Sequence, residues 1–178
     1  VKTDSVGVML LSMDNGAVFR VNGSSQIAPK GNWYRVSCDK GGVETIRGDG
    51  KSVRLVYQNW AIPEGVEKSQ TYEAQWVSDA EIANQAGHGG GDYWVVKEFI
   101  DSIKSGKQNV LDVYHATAMS AVAILGWRSV LNKSKRFDIP DFSKERSRKK
   151  WENDNLTPFP SADMSNTLPF NSRDSKKN

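Results

Sequence analysis

The sequence predicts an α+β fold made of antiparallel strands, two helices and a carboxy-terminal tail. Residues 5–77 contain short apolar and β-branched runs separated by tight-turn motifs. After Asp92 the hydrophobic pattern becomes that of amphipathic helices. From Asn155 the chain is polar and interrupted by proline. A length of 178 residues with 38% hydrophobic side chains favours one domain, over residues 1–154, followed by a tail over 155–178.

The first predicted strands form a hairpin over residues 5–22. The run 5–13 is apolar, and Asp14-Asn15-Gly16 supplies residues that suit a hairpin turn. Further strands are predicted at 33–38, 43–47, 53–57 and 70–77, with glycine-containing turns between the first three of these. Because the first strand is apolar on both faces, one face is a candidate subunit interface.

Two helices follow the strands. The first is predicted from about Asp92 to Ser105, because Tyr93, Val96, Ile100 and Ile103 share one helical stripe. The second is predicted to begin after Asp112, which can accept hydrogen bonds from first-turn amides, and to end near Leu131. Its centre is almost wholly apolar but too short to cross a membrane, so we expect a buried core helix.

Composition excludes several kinds of function. The 24 basic and 21 acidic side chains leave a formal charge of +3, which gives little reason to expect a nucleic-acid or membrane partner. Cys38 is the only cysteine and there are two histidines, so neither an internal disulfide nor a zinc cluster is expected. No signal segment is visible after Val1, and both the cytoplasm and an exported location stay open.

The segment Gly87-His88-Gly89-Gly90-Gly91-Asp92-Tyr93 is the strongest candidate for a ligand site. Its glycines allow a ligand to approach the backbone closely, and His88 can exchange a proton near neutral pH. Asp92 stands at the expected helix cap, and the amides and dipole of the following helix favour an anion or a hydroxyl-rich ligand such as a sugar. The alternative is a flexible linker with a solvated His88. The spacing is not that of a nucleotide-binding loop, so no self-contained cofactor site is expected.

Weaker candidates stand at the start of the second helix. Asp112, Tyr114 and His115 can face the same cleft as His88, although a capping role is favoured for Asp112 and a place on the helix surface for His115. The basic run 144–150 lacks interleaved aromatic residues and is typical of a solvated face. The tryptophans are expected to be core residues rather than sugar-stacking platforms.

The order of these motifs resembles the carboxy-terminal domain of a family of nicotinamide-dependent oxidoreductases. The resemblance rests on the Gly87–Tyr93 segment, on the helix that ends Ser105-Gly106-Lys107, on Asp112-Val113-Tyr114-His115-Ala116 and Ser120-Ala121, and on Ile139-Pro140-Asp141-Phe142. The family contains glucose-fructose oxidoreductase, inositol dehydrogenase and rhizopine-catabolism proteins (Gfo/Idh/MocA). The motifs are most similar to those of NAD-dependent α-N-acetylgalactosaminidases. His115 stands where the family often has aspartate.

This resemblance implies an open, largely antiparallel sheet with helices on one face, as in the carboxy-terminal domain of glyceraldehyde-3-phosphate dehydrogenase. It implies a bacterial enzyme that binds NAD or NADP through a separate amino-terminal domain and acts on a sugar or cyclitol. His88, Asp92, Tyr93, Asp112 and Tyr114 are then expected to contact substrate, whereas no catalytic, cofactor-binding or metal-binding residue is expected in this chain. We therefore expect the chain alone to be inactive and to form homo-oligomers through its sheet face. The alternative is a non-catalytic carbohydrate-binding or assembly module of the same fold.

Overall fold

The computed structural model describes residues 4–25, 27–28, 31–159 and 163–174 of the chain. Within these ranges, six strands and four α-helices follow one another, with single 3₁₀ turns at Asn59–Ala61 and His88–Gly90. The strands are β1 (Val6–Ser12), β2 (Val18–Ser24), β3 (Arg35–Ser37), β4 (Gly41–Thr45), β5 (Ser52–Tyr57) and β6 (Ser69–Glu73). The helices are α1 (Ala80–Ala83), α2 (Gly91–Ser105), α3 (Val113–Leu131) and α4 (Glu145–Arg148). The prediction of an α+β fold with antiparallel strands is confirmed.

The chain forms two compact units. One unit comprises Ala28–Lys107, and the other comprises Val1–Ile27 together with Gln108–Asn178. The first contains the strands β3 to β6 and the helices α1 and α2, and we call it the glycine-turn unit. The second contains the β1–β2 hairpin and the helices α3 and α4, and we call it the hairpin unit. The proposed boundary at residue 154 stays a prediction.

In the hairpin unit, β1 contacts α3 through Met9. Strands β1 and β2 pair antiparallel from Val6 with Ser24 to Ser12 with Val18, as the hairpin prediction requires. Met9 packs on α3 so closely that a Cβ at Gly126 would lie 2.6 Å from its sulfur. Strand β1 therefore lies directly against the backbone of the helix.

The chain after α3 is attached to that helix by polar contacts. The Arg128 guanidinium makes a two-pronged ion pair with Asp154, and both side chains are largely shielded from solvent. Trp127 Nε1 donates to the carbonyl of Pro169 over 3.2 Å. These contacts attach the chain around Asp154 and Pro169 to α3.

The glycine-turn unit contains a four-stranded antiparallel sheet in the order β3-β4-β5-β6. Arg35 on β3 and Arg54 on β5 both stand opposite Glu44 on the central strand β4. The hydrogen bond from Arg54, assisted by the charges of the neighbouring arginines, lowers the pKa of Glu44. This cross-strand network stabilises the observed register of the sheet.

The structure differs from two expectations about the core. The strands form two sheets, a two-stranded and a four-stranded one, instead of a single open sheet. Helix α3 is a core helix along one stripe only, because Ala121 and Leu125 are buried while Met119 and Ile124 are more than half exposed. An almost wholly apolar sequence cannot indicate which stripe its neighbours will cover. No helix among the described residues is long and apolar enough to span a membrane.

Candidate functional site

The glycine-rich segment folds into a tight turn that leads directly into α2. His88, Gly89 and Gly90 have φ angles of 54°, 65° and 96°, so three consecutive residues lie in the left-handed region. A histidine tolerates this conformation better than most side chains, although it is uncommon outside glycine. Helix α2 then begins at Gly91 and has Gly90 as its N-cap, so Asp92 lies in the first turn and not at the cap position that the sequence indicated.

The turn brings His88 and Asp92 together. His88 Nδ1 and Asp92 Oδ1 lie 2.9 Å apart, and both side chains are exposed, at 86% and 58%. A carboxylate in the first turn is stabilised by the helix dipole, and it favours the tautomer in which Nδ1 donates. His88 Nε2 then stays a hydrogen-bond acceptor, and no other described residue is paired with it. The pair therefore presents a histidine nitrogen to solvent in a defined orientation.

Gly87 lies close to this pair. A Cβ at position 87 would lie 2.5 Å from Asp92 Oδ2, so a larger residue there would displace the Asp92 carboxylate from its observed position. The absence of a side chain at Gly87 thus allows the Asp92 carboxylate to fold back towards His88. This close approach gives a physical reason for one of the four glycines that the sequence shows around His88.

A groove opens beside the turn, between α1 and α2, with a volume of about 640 Å³. Small-molecule sites commonly enclose volumes of this order and combine apolar walls with a few polar groups. The groove has apolar walls and a polar rim to which Asp92 and Tyr93 contribute. It is lined by Ile82, Gln85, Ala86, Asp92, Tyr93, Val96, Lys97, Ile100, Asp101 and Lys104.

The polar groups along the groove hold each other in place. Tyr93 Oη donates to Asp79 Oδ2 over 2.8 Å, and this hydrogen bond raises the pKa of Tyr93. Lys97 Nζ donates to Asp101 over 2.6 Å, which raises the pKa of Lys97 and lowers that of Asp101. Tyr93 is therefore a neutral hydroxyl at physiological pH, suited to hydrogen bonding rather than to proton abstraction.

The other two candidates, Asp112 and Tyr114, belong to the hairpin unit. Asp112 caps α3, because its Oδ1 accepts from the backbone amide of His115 over 2.9 Å, as predicted. The ring of His115 and the amide of Gln108 contact the same carboxylate. The hydrogen bonds from His115 lower the pKa of Asp112. Tyr114 lies 5.8 Å from the guanidinium carbon of Arg148. Their contact with a substrate stays a prediction.

Sequence reasoning missed Trp76 and the helix α1. Trp76 Nε1 donates to the carbonyl of Gly89 over 3.0 Å, and its ring centroid lies 5.5 Å from that of Trp94, with the two ring planes tilted by 40°. Helix α1 supplies one wall of the groove through Ile82. A helix of four residues is too short to show a period, and a lone tryptophan does not reveal its partner. Trp60, expected in the core, is 71% exposed.

Neither a dinucleotide nor a metal ion fits the described residues as a built site. The glycine turn follows the helix α1 rather than a strand, and the pairings of all six described strands are antiparallel, whereas a dinucleotide fold uses a parallel βαβ unit. Among the described residues, no three His, Cys, Asp or Glu side chains cluster as metal ligands would. The arrangement at His88 suits hydrogen bonding to an uncharged polar ligand.

Comparison with known proteins identifies the class of this domain. Residues 29–152 match the family model described as glycosyl hydrolase 109, C-terminal domain. The match covers more than half of the chain, and it contains all five candidate residues. The chain belongs to this family, and the resemblance drawn from its motifs is confirmed.

Curated relatives match over shorter segments. A glycosyl hydrolase family 109 protein of Stenotrophomonas maltophilia is 34% identical over 68 residues, which are 38% of this chain and 15% of that protein. An alpha-N-acetylgalactosaminidase of Tannerella forsythia is 40% identical over 62 residues, 35% of this chain and 13% of that protein. The matched segments thus span well under a fifth of these relatives. No solved structure matches the chain.

Proposed function

We propose that this chain is the substrate-binding and dimerisation domain of a nicotinamide-dependent enzyme that acts on a glycoside or free sugar. The observation that carries the proposal is the His88–Asp92 pair, which is held by the glycine turn beside a groove of sugar size. Membership of the glycosyl hydrolase 109 family supports a carbohydrate ligand. The name of the Tannerella relative makes N-acetylgalactosamine the first ligand to test.

In this proposal the turn recognises sugar hydroxyls. His88 Nε2 accepts a hydrogen bond from one hydroxyl, and Asp92 Oδ2 accepts from another. The apolar wall formed by Ile82, Val96 and Ile100 suits the C–H face of a sugar or the methyl group of an acetamido substituent. Recognition by a few oriented polar groups over an apolar wall is typical of small-molecule sites.

The proposed cofactor, NAD or NADP, is assigned to a part of the whole protein outside the described residues. Both net oxidation and glycoside cleavage fit this assignment. Determining the gene sequence upstream of Val1 tests it, and the expected result is a strand followed by Gly-x-Gly-x-x-Gly and a helix. A complete reading frame without such a unit would instead support a carbohydrate-binding module that lacks redox chemistry.

The proposed dimer uses the outward face of the β1–β2 hairpin. Val8, Leu10 and Val18 are 64%, 69% and 72% exposed, so this face presents apolar side chains from both strands. Contiguous exposed apolar surface favours association. Light scattering over a range of concentrations should show dimers, and a chain that stays monomeric at high concentration would contradict this part of the proposal.

Sugar binding to the chain provides the direct test of the site. N-acetylgalactosamine is titrated into the wild-type chain and the His88→Ala and Asp92→Asn variants, with binding followed by NMR. Loss of one hydrogen bond to a partly charged group costs about 1.5 kcal/mol, so about a tenfold weaker affinity is expected for each variant.

The variant Glu145→Gln is a control for this titration, because it also removes a carboxylate charge from an exposed i,i+4 ion pair, here with Lys149 on α4. It should bind the sugar as the wild type does. Equal affinities of wild type and His88→Ala would remove His88 from the site. Equal weakening by Asp92→Asn and Glu145→Gln would show a general effect of charge removal and refute the assignment.

A further inference from the structure

Trp76 lies outside the glycine-rich segment 87–93 but contacts its turn directly. Its Nε1 donates to the carbonyl of Gly89, the residue between His88 and Gly90, over 3.0 Å. The indole also lies against Gly90, where a Cβ would come within 2.6 Å of Nε1 and 3.1 Å of Cε2. One side chain thus contacts two consecutive residues of the turn.

The contacts of Trp76 restrict a conformation that is otherwise weakly determined. Two of the three consecutive positive φ angles belong to Gly89 and Gly90, which readily exchange one backbone conformation for another because glycine has few backbone preferences. The hydrogen bond fixes the direction of the Gly89 carbonyl, and the ring fills the space above Gly90. Rotation of the Gly89–Gly90 peptide breaks the bond to Trp76. Because this peptide lies between His88 and Asp92 in the chain, a change in the turn can displace the two side chains from each other.

Trp76 is itself positioned by aromatic packing on α2. Its ring centroid lies 5.5 Å from that of Trp94, and Trp94 makes an edge-on contact with Tyr93 at 5.3 Å. Aromatic pairs at these separations are favourable beyond the burial of their area. The turn and the first residues of α2 are therefore connected through Trp76 as well as along the backbone.

We infer that Trp76 is a positioning residue of the sugar site: its indole N–H and ring hold the Gly89–Gly90 peptide so that the His88–Asp92 pair is ready to bind sugar hydroxyls. The inference rests on the proposed function. The inference adds a positioning residue to the proposed site. This residue lies outside the glycine-rich motif and contacts no substrate. A preorganised site loses less freedom on binding, so its ligand affinity is higher.

The test compares Trp76→Phe with Trp60→Phe, a matched control at a tryptophan that is 71% exposed. Amide hydrogen exchange of Gly90, Gly91 and Asp92 reports on the turn, and N-acetylgalactosamine titration reports on the site. Trp76→Phe should accelerate exchange at these amides about tenfold and weaken the sugar affinity about fivefold. Trp60→Phe should change neither quantity.

An isosteric replacement of Trp76 gives a second test that stays interpretable if Trp76→Phe does not fold. Benzothienylalanine at position 76 keeps the bicyclic ring and lacks the N–H donor, so it removes the bond to the Gly89 carbonyl and leaves the packing in place. It should accelerate exchange at Gly90 and weaken sugar binding in the same direction as Trp76→Phe. A wild-type affinity in this variant would overturn the role of the N–H.

The possible results separate the inference from the function on which it rests. If His88→Ala weakens binding but neither change at Trp76 does, the positioning role is refuted and the site stands. If neither change at Trp76 accelerates exchange at the turn, the inference fails whatever the affinities are. If the wild-type chain does not bind the sugar, the proposed function fails, and the exchange data still decide whether Trp76 holds the turn.

Discussion

Replacing Gly90 by alanine measures how tightly Trp76 packs on the glycine turn, provided that the cost of backbone strain is known. Gly106 at the end of α2 supplies that reference: its φ is 66°, and no atom lies within 4 Å of a Cβ built there. Gly106→Ala should therefore cost only the left-handed strain, about 1 kcal/mol of unfolding free energy. Gly90 has a φ of 96°, and a Cβ added there would lie 2.6 Å from Trp76 Nε1 and 3.1 Å from the carbonyl oxygen of Ala83.

The free-energy cost of the steric conflict at Gly90 can be calculated from the cost of overpacking. Overpacking in a region that cannot relax typically costs about 1–3 kcal/mol, so Gly90→Ala should lower the unfolding free energy by about 2–4 kcal/mol in total. Urea unfolding followed by tryptophan fluorescence measures both variants under one condition. The conflict is with the indole, so the cost of Gly90→Ala should fall in a Trp76→Ala background, as a double-mutant cycle detects. Equal destabilisation by Gly90→Ala and Gly106→Ala would refute the close contact between Trp76 and the turn.

Two further changes test the hairpin unit. Asp154→Asn leaves Arg128, whose side chain is only 12% exposed, without its charged partner, and should lower the unfolding free energy at pH 7 by about 2 kcal/mol. The hydrogen bond from Arg128 lowers the pKa of Asp154 from 3.8, so the stabilisation is present above pH 3.8 and is lost as the pH falls below it. Urea unfolding at pH 7 and pH 3 should show a smaller difference between wild type and variant at pH 3, and a constant difference would contradict this account. Asp112→Ala removes the cap of α3 and should cost about 1 kcal/mol, measured by circular dichroism on thermal unfolding, whereas an unchanged melting temperature would exclude the cap as a stabilising element.

The sequence predicted those structural elements that are stabilised by contacts between residues close together in the chain. The hairpin turn at Asn15-Gly16 follows from side-chain and backbone hydrogen bonds within five residues, and Met13 N indeed donates to the carbonyl of Ala17 over 2.9 Å. The cap of α3 follows equally from a carboxylate placed one residue before the helix. In both cases the stabilising hydrogen bonds join residues no more than four positions apart, so the sequence pattern itself contains both partners.

The parts that sequence did not predict depend on contacts between distant residues. Trp76 binds a carbonyl 13 residues further along the chain, and nothing in the pattern around it indicates that partner. The exposed stripe of α3 depends on which side β1 covers, and this choice depends on Met9 and Gly126 meeting across more than a hundred residues. The apolar content of a helix predicts that one of its faces is buried, whereas the tertiary contacts determine which face that is.

The two histidines of the chain make the same kind of pair with aspartate but have different local environments. His115 contacts Asp112, whose carboxylate also accepts from a backbone amide and from Gln108 and whose side chain is 15% exposed. The oxygen Oδ1 of that carboxylate caps α3, and Oδ2 accepts from the side chain of Gln108, so both oxygens have partners within the protein. Asp92 is 58% exposed, contacts His88 through one oxygen only and caps no amide, while His88 adopts a positive φ that nothing in the capping of α2 requires. A backbone held in an uncommon conformation to orient an exposed histidine is more simply explained by ligand binding than by stability. The pair at the glycine turn is therefore the one for which we propose a role in sugar recognition.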